Sequence, residues 1–255
     1  MLNSIEIFNA TREQRGVLIT QEANLLPNDS EIEQSQKLSQ VINTFIESYF
    51  DLLIQNDLNR HSGSVLDPAN ISLEIDNIIT SFRDIAIEQI SRAVPDREDM
   101  MRDAKNLYEL GGTSKLAGAN KITRYLSTTM GLLWEKIANI SPYTVNPESE
   151  FNIKIKGIDL ITSNRITNLI EYQQLKTQHN TLTGSQRSRS VQELEIHENP
   201  VFCASFKLGN WTFNHSNIPR VSGAEFWNGI GIEYSLLEIK VKDLFMEFER
   251  VFISL

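Results

Sequence analysis

Apolar residues recur every three to four positions through the first 140 residues, and past Pro142 they switch to alternation. Between Glu31 and Gln55, Leu38, Val41, Ile42, Phe45, Tyr49, Leu52 and Leu53 fall on one helical face, which predicts a single amphipathic helix. The segment HSGSVLDP interrupts it. Asp67-Pro68 then supplies a capping carboxylate and a first-turn proline for a second helix running to about Val94. A third, PDREDMMRDAKNLYEL, stops at Gly111-Gly112, and a fourth spans roughly Ala119 to Ile140.

The alternating, β-branched runs FNIKIKGIDLIT and ITNLIEYQQLKT read as two strands joined by the polar turn TSNR. HNTLTGSQRSRS reads as a polar, basic loop, VQELEIHE as a short helix, VFCASFKLG as a buried strand, and NWTFNHSNIPRVSG as irregular. AEFWNGIG begins a helix, and VKDLFMEFERVF closes the chain as an amphipathic one. Helices, then a mixed core, then helices again predict an α/β or α+β fold with a sheet wrapped by helices. The expected division is a helical N-terminal region over residues 1–112 and a core over 113–255.

The 255 residues, 40% hydrophobic and 22% charged, suffice for a substantial core. No apolar run reaches the roughly 18 residues that a membrane helix needs, and the opening MLNSIEIFNATREQRG lacks the pattern of a secretion leader. A lone cysteine, Cys203, excludes an internal disulfide and reads as packing in a buried strand, so a reducing cytoplasm is expected. The net charge of −9 argues against a nucleic-acid partner until it is divided. Residues 1–100 carry 17 acidic and 7 basic side chains (net −10), whereas residues 101–255 carry 16 and 17 (net +1). Phosphate would be repelled only by the N-terminal part.

The most informative chemistry lies between Ile158 and Lys176. Asp159 sits near the end of one apolar strand, and Gln174 and Lys176, two residues apart on the next, project from the same face. A carboxylate, an amide oxygen and an ammonium at one end of a sheet can hold Mg²⁺ and a water beside a phosphodiester. Each residue also has a plainer reading: Asp159 as a hairpin-end aspartate, Gln174 as a cross-strand polar residue, Lys176 as a solvent lysine, Glu135 as a surface helical glutamate. His61, His179, His197 and His215 show no ligand spacing for zinc, and no glycine motif marks a nucleotide site.

Taken in order, MGLLWEKIA on a helix, GIDLI on a strand, YQQLKTQHNTLTGSQ on the next strand and loop, and VSGAEFW resemble the PD-(D/E)XK nuclease superfamily, most closely its type II restriction endonucleases. The match covers roughly Asn120 to Trp227. It implies a restriction-endonuclease-like mixed sheet and a Mg²⁺ site formed by Asp159, Gln174, the Leu175 carbonyl and Glu135, with Lys176 orienting the water. The family usually has an acid where this chain has Gln174. Glu135 is the expected compensation; a shifted register built on Glu171 and Gln173 is the alternative.

The resemblance further implies sequence-specific cleavage of double-stranded DNA by a cytoplasmic, prokaryotic homodimer. A cognate methyltransferase would act on the same site. Candidate DNA contacts are Gln178, His179, Asn180, Thr181, Thr183, Ser185, Gln186, Arg187 and Arg189 after the lysine, with Lys121 and Arg124 ahead of Glu135. A repair, resolvase or transposition nuclease of the same fold, or a DNA-binding protein without catalysis, remain the alternatives.

Overall fold

The structure, a computed structural model, describes residues 2–27, 34–60 and 65–255. The predicted helix start at residues 31–33 and the interruption at 61–64, which includes His61, lie outside the described residues. Helix α1 covers Ser4–Asn9, and α2, Arg12–Leu25, opens with a reciprocal Thr11–Gln14 capping box. The single helix expected next is two, α3 (Gln34–Asn43) and α4 (Ile46–Arg60). They part where the Thr44 and Phe45 amides turn back to the Val41 and Ile42 carbonyls and the Thr44 hydroxyl donates to Val41 O. In α5, Pro68–Ser91, Asp67 caps as expected, its carboxylate accepting from the Asn70 amide at 3.1 Å. The third predicted helix is likewise split, into α6 (Arg97–Arg102) and α7 (Leu107–Leu110), because Asn106 caps a new helix. Helix α8 runs from Ser114 to Ala138.

The remaining elements are mixed, α and β, so that the fold is α+β. They are β1 (Thr144–Val145), α9 (Pro147–Phe151), β2 (Leu160–Ser163), β3 (Ile170–Lys176), α10 (Gly184–Leu194), β4 (Pro200–Ala204), β5 (Arg220–Ser222), α11 (Ala224–Gly229) and α12 (Tyr234–Ile253). The strands make one five-stranded sheet in order β1-β2-β3-β4-β5. The first two pairings are antiparallel and the last two parallel. The sequence expectation of one long strand from Phe151 to Thr162 needs correction. Only Phe151 belongs to a helix, as the last residue of α9, and an irregular run follows it, with Asn152 left-handed (φ 54°) and Gly157 at φ 72°. The alternation there is real, since Ile153, Ile155 and Ile158 are buried, but it serves side-chain packing without a strand partner.

The chain divides into two compact units, residues 1–71 with 135–234, and 72–134 with 235–255. This differs from the expected break at residue 112: α1–α4 belong with the sheet, and α12 belongs with the middle helices. In the first unit, Ile161, Tyr172 and Phe202 line one sheet face; Ile161 stands opposite Tyr172, and Phe202 opposite Gln174. They share a core with Ile42, Phe45, Tyr49 and Phe50 from the N-terminal helices and Leu194 from α10. Phe151 is fully buried and meets Phe45 and Tyr49 edge-on, at centroid distances of 5.9 and 5.3 Å.

Helix α2 is fastened to α9. The Arg15 guanidinium donates to the Ile7, Phe8 and Ala10 carbonyls and pairs with Glu150, which also accepts from the Tyr49 hydroxyl. Gly16 allows the close approach, because a Cβ there would lie 2.7 Å from the Phe151 carbonyl oxygen. In the second unit, α5 and α12 meet through Phe82 and Phe248, with centroids 6.3 Å apart, and through a Lys240–Asp76 ion pair. No described helix is long and apolar enough to cross a membrane.

Candidate active site

Asp159 sits one residue before β2, where the ladder continues through its amide to the Gln173 carbonyl at 2.9 Å. It is two residues from Ile161, so it shares the Ile161–Tyr172 face. Gln174 and Lys176 alternate onto the same face from β3. The Asp159 carboxylate accepts from the Leu175 amide at 2.8 Å, and the Lys176 ammonium stands 3.8 Å from the same oxygen. The carbonyl of Leu175 points to the β2 side, as that of Gln173 does, and so emerges beside Asp159. Asp159, the Leu175 backbone and Lys176 are therefore neighbours, and Gln174 shares their face of the sheet.

Glu135, on the last turn of α8, completes the group. The Asn146 side chain ties the corner, donating to the Asp159 carbonyl at 3.0 Å and lying 3.5 Å from a Glu135 oxygen. Burial, followed by the charge of Asp159, pushes the Glu135 carboxyl up to about 7, against the pull of Lys176. Burial also raises Asp159, offset by the Lys176 charge and the Leu175 amide. Gln174 is only 6% exposed, and its amide oxygen has no hydrogen-bond partner. Such an orphaned acceptor fits a cation ligand, because an unmet buried oxygen costs about 1–3 kcal/mol. Asp159, Glu135, Gln174 and the Leu175 carbonyl could hold Mg²⁺, which would supply charge to polarise a phosphate and acidify a water. Among the described residues no three His, Cys, Asp or Glu side chains converge closely enough to hold an ion by themselves.

With its pKa lifted from 4.5 to about 7, Glu135 in the folded protein keeps a proton that the unfolded chain has released between those pH values. Stability must therefore fall as pH rises through that window. Glu135→Gln should raise stability without divalent ions by about 1–2 kcal/mol at pH 8, after allowance for solvent screening of a partly exposed group, and by nothing near pH 4.5. Urea unfolding in EDTA at both pH values measures this; equal effects at the two would show that the carboxyl is not strained by Asp159.

The alternative register loses its basis. Glu171 and Gln173 point to the opposite sheet face, and the Glu171 oxygens accept from the side chains of Asn164, Thr167 and Gln173. The segment after Lys176 also needs correction. Only residues 177–183 form a loop; Thr183 and Gln186 make a capping box, and Ser185, Gln186, Arg187 and Arg189 lie on α10. His179 is buried and cannot read a base. Its ring stacks on Trp211 at 3.9 Å and bonds the Gly209 carbonyl and the Ser222 hydroxyl, pinning the loop to β5. Gln178 donates to Asn180, Arg187 to the Asn214 carbonyl and Arg189 to Glu193. Asn180, Thr181, Thr183, Ser185, Gln186, Arg187 and Arg189 are exposed, and Gln178 partly so. Lys121 and Arg124 are not brought to this group by any described contact. They line a cleft of about 390 Å³ inside the second unit, with Lys105, Asn106 and Asn120.

Sequence reasoning misses Glu193, which α10 lays against the loop ahead of Asp159. Gly157 marks the contact, since a Cβ there would fall 2.5 Å from the Glu193 Cβ. Cys203 is fully buried, as expected, and so is Trp227, whose indole donates to the Ser205 carbonyl. No protein-family model matches this chain, and no curated protein matches its sequence.

Proposed function

We propose that this protein is a Mg²⁺-dependent, sequence-specific endonuclease of double-stranded DNA, of the restriction type and with a PD-(D/E)XK-like core. The observation that carries the reading is the convergence of Asp159, Lys176 and Glu135 on one sheet end. The mixed sheet, in which an antiparallel hairpin passes through α10 to a parallel strand, supports it. Asp159 and Glu135 would hold the ion together with Gln174 and the Leu175 carbonyl. Lys176, 28% exposed, is placed to orient a water and to meet charge developing on the phosphate. The exposed polar groups of residues 178–189 form the proposed DNA contact, with hydroxyls for phosphates and Asn180, Arg187 and Arg189 for base edges.

A homodimer suits a palindromic duplex, one subunit cutting each strand, and α12 exposes Ile239, Phe245 and Met246 as an apolar patch for it. The test is digestion of plasmids of known sequence with purified protein and Mg²⁺, followed by mapping of the ends, against Asp159→Ala. Discrete fragments from the wild type alone support the reading. Equal inertness of both over many substrates would leave a DNA-binding protein without catalysis; cutting without sequence preference would favour a repair or recombination nuclease.

A further inference from the structure

We infer that the cleft inside the second unit binds a small phosphate monoester of about mononucleotide size, held by Lys105, Lys121 and Arg124 over an apolar base. The site is built from residues outside the proposed nuclease corner and stands whether or not that corner cuts DNA. Ala117, Asn120, Lys121 and Arg124 fall three or four positions apart, so one face of α8 presents all four. The turn after α5 supplies Ala93 and Pro95, and the segment leading into α7 supplies Lys105 and Asn106. A Cβ at Gly118 would stand 3.0 Å from the Val94 side chain, so its absence lets α8 settle against that turn. The cleft volume, about 390 Å³, lies in the range of small-molecule pockets.

Polarity is layered in this cleft. Ala93 and Ala117 are buried at its base, Pro95, Asn106 and Asn120 are half-buried, and the three cations are exposed at its mouth. Their charge is not answered locally. Among the described residues that form the cleft, Glu109 is the one acid, and its carboxylate accepts from the Lys105 amide at 2.6 Å and the Asn106 side chain at 2.8 Å. Asp103 stands 3.6 Å from the Lys105 ammonium, but both side chains are more than three-quarters exposed, where such a pair counts for little. Among the described residues no carboxylate pairs with Lys121 or Arg124; the Lys121 ammonium reaches the Arg92 carbonyl at 3.5 Å. A phosphate monoester, doubly charged and with three acceptor oxygens, can meet more than one of these cations at once. The buried base asks in addition for an apolar or flat body, and the half-buried Asn120 amide can bond its edge, as asparagine does with adenine. Lys105 stands on a different segment from Lys121 and Arg124, so the charges flank an inset base instead of tracking along one ridge. That arrangement favours a small molecule over a nucleic-acid backbone.

Adenosine monophosphate is the probe, titrated calorimetrically into the full chain in EDTA, so that no divalent ion contributes. Saturable binding is expected, with adenosine and inorganic phosphate each weaker by about tenfold or more, because each lacks one half of the recognised group. Lys121→Gln and Arg124→Gln should each weaken binding about fivefold, with an unchanged circular dichroism spectrum, since both side chains are exposed. Asp159→Ala should bind the nucleotide as the wild type does. No saturable binding, equal binding of adenosine or of phosphate, or wild-type affinity in both charge variants overturns the inference. So does loss of binding in Asp159→Ala, which would move the nucleotide to the proposed nuclease corner. A DNA duplex that both charge variants fail to bind, with no binding of adenosine monophosphate by the wild type, would assign the cations to a nucleic-acid backbone instead.

Discussion

Lys176→Ala should lower Mg²⁺-dependent plasmid cleavage by about a hundred- to a thousandfold while leaving folding and DNA affinity intact, the loss expected when one electrostatic donor leaves an active site. The folding half follows from the contacts. The Lys176 side chain is 28% exposed and its charged partner, Asp159, keeps the Leu175 amide when the ammonium is gone. Little buried structure is orphaned. The chemical half follows from charge. Lys176 is the cation that draws both Asp159 and Glu135 down, so its removal lets both carboxyls rise further, and protons then compete with an ion for them. Lys176→Arg should recover only part of the rate, since a planar guanidinium does not occupy the position of a compact ammonium. Gel assays of cleavage and of binding to the same duplex separate the effects. Unimpaired cutting by Lys176→Ala would take the lysine out of the site.

Phe151→Ala is expected to destabilise the sheet-containing unit by about 3–5 kcal/mol, the range for removing a fully buried phenylalanine. For a chain of this size the melting temperature would fall by roughly 10 °C. The ring has no exposed surface and is clasped edge-on by Phe45 and Tyr49. It ends α9, where Asn152 turns left-handed and the chain begins its run toward Asp159. A cavity there would loosen both the N-terminal helices and the approach to the site. Urea unfolding read by far-ultraviolet circular dichroism measures the loss. A change below about 1 kcal/mol would mean that the cluster repacks, and that Phe151 does not join these elements.

Asp159 and Lys176 are legible in the sequence because a strand has period two and a short hairpin fixes which residues oppose one another. Glu135 is legible only through resemblance, since nothing in a helical glutamate says what it faces. Glu193 escapes because nothing in VQELEIHE, read as a short helix, says what its glutamates face, and the true start of that helix is hidden as well. The run Gly184–Ser190 lacks apolar periodicity and looks like a loop, although Thr183 and Gln186 carry the spacing of a capping box, which starts the helix there. His179 misleads because a polar run suggests solvent, whereas its ring is held by Trp211, thirty-two positions on. The two-unit division is hidden for a similar reason: each unit is assembled from separate stretches of chain, and periodicity carries no information about such pairing.

The Arg15 clamp on α9 bears on how this protein can be dissected. Residues 2–26 carry none of the groups of the proposed site, and on that ground alone they could be taken for a dispensable extension. Yet the guanidinium that gathers three carbonyls and Glu150, and the glycine that lets α2 lie flush on Phe151, make those residues a buttress behind the acidic corner. Shortening the chain from its amino end would therefore blunt the site from a distance, with every residue of the corner still present.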